Sequence, residues 1–161
     1  MTHSNAEFFA RLDANVPKIV TEFQRLTSVP PWTSLTEVEW RDHLPPLLHA
    51  LFDSTVSSTV SPEAREKSVS LAAAHGEIRR KQEMSAESLL TEYYLLRNAM
   101  WNHIDKDVRT PDAVSSIIRL DAAVSIATLA SLAGYHRDEY EQVGLWPGVL
   151  TNMVKQWEAS L

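Results

Sequence analysis

The stretch from Ala72 to Ile104, AAAHGEIRRKQEMSAESLLTEYYLLRNAMWNHI, decides how this chain is read. It holds two helical patterns joined by one short break at Lys81 to Ser85. In the second, Leu89, Tyr93, Leu96, Met100 and Ile104 recur every three or four residues and line one helix face. Leu90, Arg97 and Trp101 make a second stripe beside it. Polar side chains thus lie on or next to faces expected to be buried, and His75, Arg79, Tyr93, Arg97 and Trp101 are placed to meet across the helix pair. Three alanines before His75 and Gly76 after it leave the helix surface nearly bare. A neighbouring helix can approach such a surface closely, and a histidine beside the contact can bond across it.

The rest of the chain continues the helical reading. Four glycines are few for 161 residues, and the eight prolines mostly fall where helices would begin. Phe9, Leu12, Val16, Ile19, Phe23 and Leu26 form a first apolar stripe, which Pro17 should kink or briefly interrupt and Pro30-Pro31 should end. Ser34 with Glu37, or Thr36 with Glu39, offers a capping box for a short helix. Pro45-Pro46 restarts the chain ahead of Leu47, Leu48, Leu51, Phe52 and Val56, and DSTVSSTVS (53–61) should fray into a loop. Ser61-Pro62 then opens a helix to about Glu83, Ser85 caps one to about Arg109, and Thr110-Pro111 opens one to about Tyr140. After LWPG (145–148) comes an amphipathic tail carrying Val149, Leu150, Met153, Val154 and Trp157. The expected fold is all-α: a helical bundle of about five to six helices around a four-helix core. One domain should span 1–161, with 145–161 serving either as a signalling helix or as a cap on the bundle.

Composition removes several function classes. A net charge of -6 disfavours nucleic acid as a partner, since phosphates need a basic patch. No uninterrupted apolar run reaches the roughly 18 residues of a membrane span, so no membrane insertion is expected. The start, MTHSNAEFF, lacks the cationic and apolar segments of a secretion signal. Zero cysteines exclude thiolate metal sites and fit a reducing cytoplasm, the expected location.

Little in the chain suggests catalysis. A di-iron bundle needs paired Glu-x-x-His motifs, and none is present; His136 and Glu139 have the reversed order. No two histidines have the i, i+4 spacing of a zinc helix. There is no Gly-x-Ser-x-Gly elbow and no phosphate-binding glycine loop. No cofactor and no metal are expected. His75 has two readings, a histidine satisfied at the core edge or a sensor whose charge or ligand contact changes helix packing. Arg97 shares an apolar face with Tyr93 and Trp101, so it needs a partner, for which Glu92, Glu77 and Asp121 are candidates. Were Arg97 buried in this way, its truncation to alanine would cost about 2–4 kcal/mol.

The segments HGEIRRKQEMSAESLLTEYYLLRNAMW (75–101) and IIRLDAAVSIAT (117–128) resemble the N-terminal domain of the RsbRD-type RsbT co-antagonists. That domain also serves as an input module ahead of bacterial sensor histidine kinases. The resemblance rests on a histidine and arginine near one helix end, a turn, then L-x-x-E-Y-x-x-L-R-x-x-x-W and an aspartate on the next helix. His75, Arg79, Glu92, Tyr93, Leu96, Arg97, Trp101 and Asp121 occupy those places. One departure is Lys81 to Met84, where a glycine is expected before the turn. The likeness covers about 47–140.

The resemblance implies a non-catalytic sensory or regulatory domain, with globin-like input domains of stressosome proteins similar in role. It would form a homodimer and pass its signal to a downstream signalling protein or output domain, with an unidentified small-molecule ligand as a further partner. No STAS pattern or ATPase glycine box occurs within the chain. Two alternatives stand beside this reading: a histidine-phosphotransfer bundle using His75, and a small-molecule or haem-binding bundle. Trp32, Trp40, Trp101, Trp146 and Trp157 exceed what a small core needs, which points to an interface or pocket.

Overall fold

Side-chain caps and prolines set most helix starts in the computed structural model, which describes residues 4–36, 38–39, 43–56, 61–104 and 111–160. Ser4 and Glu7 form a reciprocal capping box that opens α1 (Asn5–Ala14). The chain breaks at Asn15 and resumes as α2 (Val16–Leu26), with Pro17 in its first turn. Of the two expected outcomes at Pro17 the structure takes the interruption and not the kink, because the proline's missing N–H falls where a helix start leaves that donor unpaired anyway. A 3-10 turn, Trp32–Ser34, follows. Thr36 and Glu39 then cap each other, as one of the two expected boxes does; Glu37 and Trp40 lie outside the described residues.

Six further helices complete the described structure, which contains no strand. They are α3 (Leu44–Asp53), α4 (Pro62–Lys81), α5 (Ala86–Trp101), α6 (Pro111–Tyr135), α7 (Arg137–Gln142) and α8 (Trp146–Ala159). Pro62 opens α4, and Ser85 caps α5 by accepting from Ser88 N. The helix expected to reach Arg109 ends at Trp101, and Thr110 lies outside the described residues. The pattern expected to run to Tyr140 breaks at His136, because α7 is polar all round and buries no residue against the bundle. An all-helical bundle is what the sequence predicts, and with these breaks eight α-helices can be given bounds among the described residues.

One apolar core runs from Phe9 on α1 to Trp157 on α8. Its most extensive helix pair is α4 with α6. The two backbones come closer than side chains permit. A Cβ added to Gly76 would sit 1.8 Å from Ser131 O, and one added to Gly134 would sit 2.0 Å from Ala73 O. Helix α5 packs against α6 and α2, and α8 lies on α4 and α6 through the buried Val154 and Trp157. Arg65 on α4 ties down that last helix, with its guanidinium 5.9 Å from the Trp157 ring and Nη1 3.4 Å from Glu158 Oε1. Trp32 joins Trp157 in the core, while Trp101 packs partly buried at its edge.

The turn between α4 and α5 explains the missing glycine. Met84 N donates to Arg79 O and Glu83 N donates to Arg80 O, the two bonds of a Schellman helix end. That motif needs a left-handed residue, and Glu83 fills it at φ 60°. Replacing Glu83 with glycine should raise unfolding stability by about 0.5–1 kcal/mol, since glycine adopts this conformation without a Cβ penalty. Gly134→Ala should cost about 3 kcal/mol by forcing α4 and α6 apart. Urea unfolding checks both; an unchanged midpoint for Gly134→Ala would contradict the close approach.

Candidate functional site

The α4–α5 junction holds a buried carboxylate. Glu92 on α5 and both its basic partners on α4, His75 and Arg79, are at most 3 % exposed. Arg79 Nε donates to Glu92 Oε2 at 3.0 Å and Nη2 donates to Oε1 at 2.9 Å, a forked pairing that suits guanidinium and carboxylate. His75 Nε2 lies 3.0 Å from the same Oε1. An ionised carboxylate only accepts, so Nε2 carries the hydrogen. Nδ1 of His75 is buried without a hydrogen-bond partner. Burial alone would push the Glu92 carboxyl up, but His75 and Arg79 outweigh it and hold the group down at about 2.

Local sequence produces this geometry. His75 and Arg79 are four residues apart, so they share a face of α4. The Schellman turn then folds α5 back so that Glu92, on its second turn, meets both. Polar contacts continue outward: Arg79 Nη1 donates to Gln82 Oε1 and Gln82 Nε2 to Glu39 Oε1, each at 2.8 Å. The Glu39 carboxyl is held below its ordinary range by the backbone and hydroxyl bonds from Thr36.

Tyr93 carries the junction to the third helix. Its ring meets the His75 ring edge-on, with centroids 6.0 Å apart, and its hydroxyl lies 2.6 Å from Ser131 Oγ on α6. Ser131 Oγ in turn donates to Ala72 O on α4, beside the close approach at Gly76. Burial pushes the Tyr93 phenol well above its ordinary range, so it stays neutral. Neither Gln82 nor Ser131 was singled out by sequence. Gln82 sits three residues from Arg79 and could have been found by that spacing; nothing local marks Ser131.

The expected polar set therefore divides in two. His75, Arg79, Glu92 and Tyr93 come together. Arg97 and Asp121 form a separate pair, Nε to Oδ1 at 3.2 Å, with side chains 31 % and 52 % exposed. That Nε is close enough for an ion pair yet lacks hydrogen-bond alignment, while Arg97 Nη2 donates to Ser125 Oγ at 3.2 Å. Arg97 is thus not the buried charge its stripe suggested, because the α6 surface facing it is open to solvent. Trp101 lies two turns beyond Tyr93 and takes no part in the cluster's hydrogen bonds. Exposure also bears on phosphotransfer: His75 is sealed, and its Nε2 is engaged by Glu92, so no phosphoryl donor reaches it. Among the described residues, no three His, Asp or Glu side chains gather as a metal site.

Removing one member of the buried cluster should strand the others. Glu92→Gln is expected to cost about 3–5 kcal/mol in urea unfolding, whereas replacing His75, Arg79 and Glu92 together with leucine, methionine and leucine should cost far less. Arg97→Ala should cost at most about 1 kcal/mol, as for a surface pair, in place of the 2–4 kcal/mol estimated for a buried one. The pH dependence has a definite sign. Glu92 is more acidic folded than its reference value of 4.5, so its contribution is complete above that pH and is lost as pH falls toward about 2. The loss should be about 3 kcal/mol and absent from the triply apolar variant. Equal acid sensitivity in both proteins would contradict the assignment.

Comparison with known proteins adds one finding. No curated protein and no solved structure matches the chain. The family described as RsbT co-antagonist protein RsbRD N-terminal domain matches residues 7–145, a longer span than the 47–140 over which the sequence resembles it. It takes in the buried cluster, the Arg97–Asp121 pair and the close approach of α4 and α6. The chain belongs to this RsbRD N-terminal domain family, a family of regulatory domains in stress signalling.

Proposed function

We propose that this chain is a non-catalytic, cytoplasmic input domain of a bacterial signal-transduction protein. It works by shifting helix packing and self-association, and it hands the result to an output domain or partner of the RsbT system or to a kinase. Family membership supports the regulatory class. The observation that carries the mechanism is the sealed His75–Arg79–Glu92 cluster, which joins α4 to α5 at the turn where α4 also meets α6. A buried charge cluster of this kind has few tolerable arrangements. Once one contact is lost, the others must move or stay unpaired. A perturbation there has an outlet, since α8 rests on α4 and α6. On this reading 145–161 conveys the signal onward, and the whole of 1–161 works as one domain.

The phosphotransfer alternative gains nothing from the geometry, because a phosphorylated histidine must be accessible. Haem ligation through Nε2 of His75 would require that nitrogen to leave Glu92, stranding the carboxylate beside Arg79 alone.

Hydrogen exchange in Glu92→Gln tests coupling at a distance. Relative to the parent chain brought to the same global stability with urea, amide protection should fall in α8, remote in sequence from the substitution, as well as in α4 and α5. Loss confined to α4 and α5 would mean that the cluster is merely structural.

A further inference from the structure

Helix α6 is far more apolar than its burial explains. By length and composition it could cross a membrane, yet only 39 % of its most apolar 18-residue window is buried. Its outward stripe is Val114, Ile118, Asp121, Ser125 and Leu129, spaced three and four residues apart along one face. Val114, Ile118 and Leu129 are each more than half exposed. Beside it on α5 stand the exposed Leu90 and Tyr94. Between the two helices lies a hollow of about 360 Å³, bounded by Leu90, Tyr94, Arg97, Ser125 and Leu129. Leu129 also borders an adjoining hollow of about 390 Å³, where Val143 and Leu145 extend the apolar surface. Of the exposed large hydrophobic residues described, all but Val29 and Val38 belong to this side of the molecule. Scattered apolar residues need no explanation, but a continuous patch with an aromatic and an arginine at its centre marks an interface.

Charge says what covers it. The middle of the stripe carries one cation and one anion side by side, Arg97 and Asp121. Their contact within the chain is poorly aligned, and Asp121 remains half exposed, so each keeps capacity for a second partner. A two-fold axis beside this pair would bring Arg97 of each copy to Asp121 of the other, with the flanking apolar residues in mutual contact. Such a surface is complementary to itself, which is what an isologous dimer requires. The hydrocarbon core of a lipid bilayer offers Arg97 and Asp121 no such partner. Insertion would also separate α6 from α4, where Gly76 and Gly134 hold the backbones together.

We propose that the α5–α6 face is the docking site for a second copy of this chain, with Arg97 and Asp121 paired reciprocally across the axis. The proposal rests on the self-association in the functional reading above and gives it a location. Sedimentation equilibrium of the full chain tests it through two single variants, Arg97→Asp and Asp121→Arg, with unchanged circular dichroism as the folding check. Each variant alone places like charges across the axis and should weaken dimerisation at least about tenfold. Mixed in equal amounts, the two should restore dimers, because every facing pair is then opposite in sign. Ile118→Lys should weaken dimers without such rescue. If the parent chain dimerises and all three variants dimerise equally well, the face is wrong while self-association stands. Single variants that weaken but do not rescue each other would overturn the reciprocal pairing. A parent chain that stays monomeric at about 500 μM, near the millimolar limit of weak association, would overturn both proposals. The same monomer binding anionic phospholipid vesicles through Ile118 would assign the face to a membrane instead.

Discussion

A buried carboxylate must have its charge balanced by its neighbours, and Glu92 sets that requirement in this bundle. Two donors of Arg79 and one of His75 meet it. Everything near the junction is then constrained. Helix α4 must end where Arg79 reaches α5, the turn must close tightly enough to accept a left-handed Glu83, and α5 must present its second turn toward α4. Tyr93, the next residue, is thereby aimed at Ser131, and the α5–α6 spacing follows.

The second constraint is steric, and it reinforces the first. With Gly76 and Gly134 each against the other helix's backbone, α4 and α6 have no room for a side chain at either position. A polar cluster with strict partners therefore adjoins a contact with strict distance. Rearrangement at one is felt at the other, and α8 lies over both helices.

Helix starts were legible because their causes are local: Pro62, Ser85 and the Thr36–Glu39 box act within four residues. The bare surface around His75 was legible for the same reason, as alanines and glycine announce a close neighbour without naming it. Which neighbour it was depended on Ser131 and Gly134, some 55 residues away and without any local mark. Arg79 and Arg97 show the limit most clearly. Arg97 sits among apolar helical positions yet stays partly exposed beside Asp121, while Arg79, flanked by His75, Gly76, Gln82 and Glu83, is buried against Glu92. Spacing assigns a residue to a face; only the packing of the other helices decides whether that face is covered. The break at His136 was missed because neither glycine nor proline causes it.

Side-chain carbon NMR of Glu92 across an acid titration reads the central constraint without relying on stability or association. Carboxyl carbon shifts that move only near pH 2 would agree with a charge held by Arg79 and His75. A midpoint at or above the ordinary value of 4.5 would show that burial prevails and that the cluster does not hold a carboxylate anion.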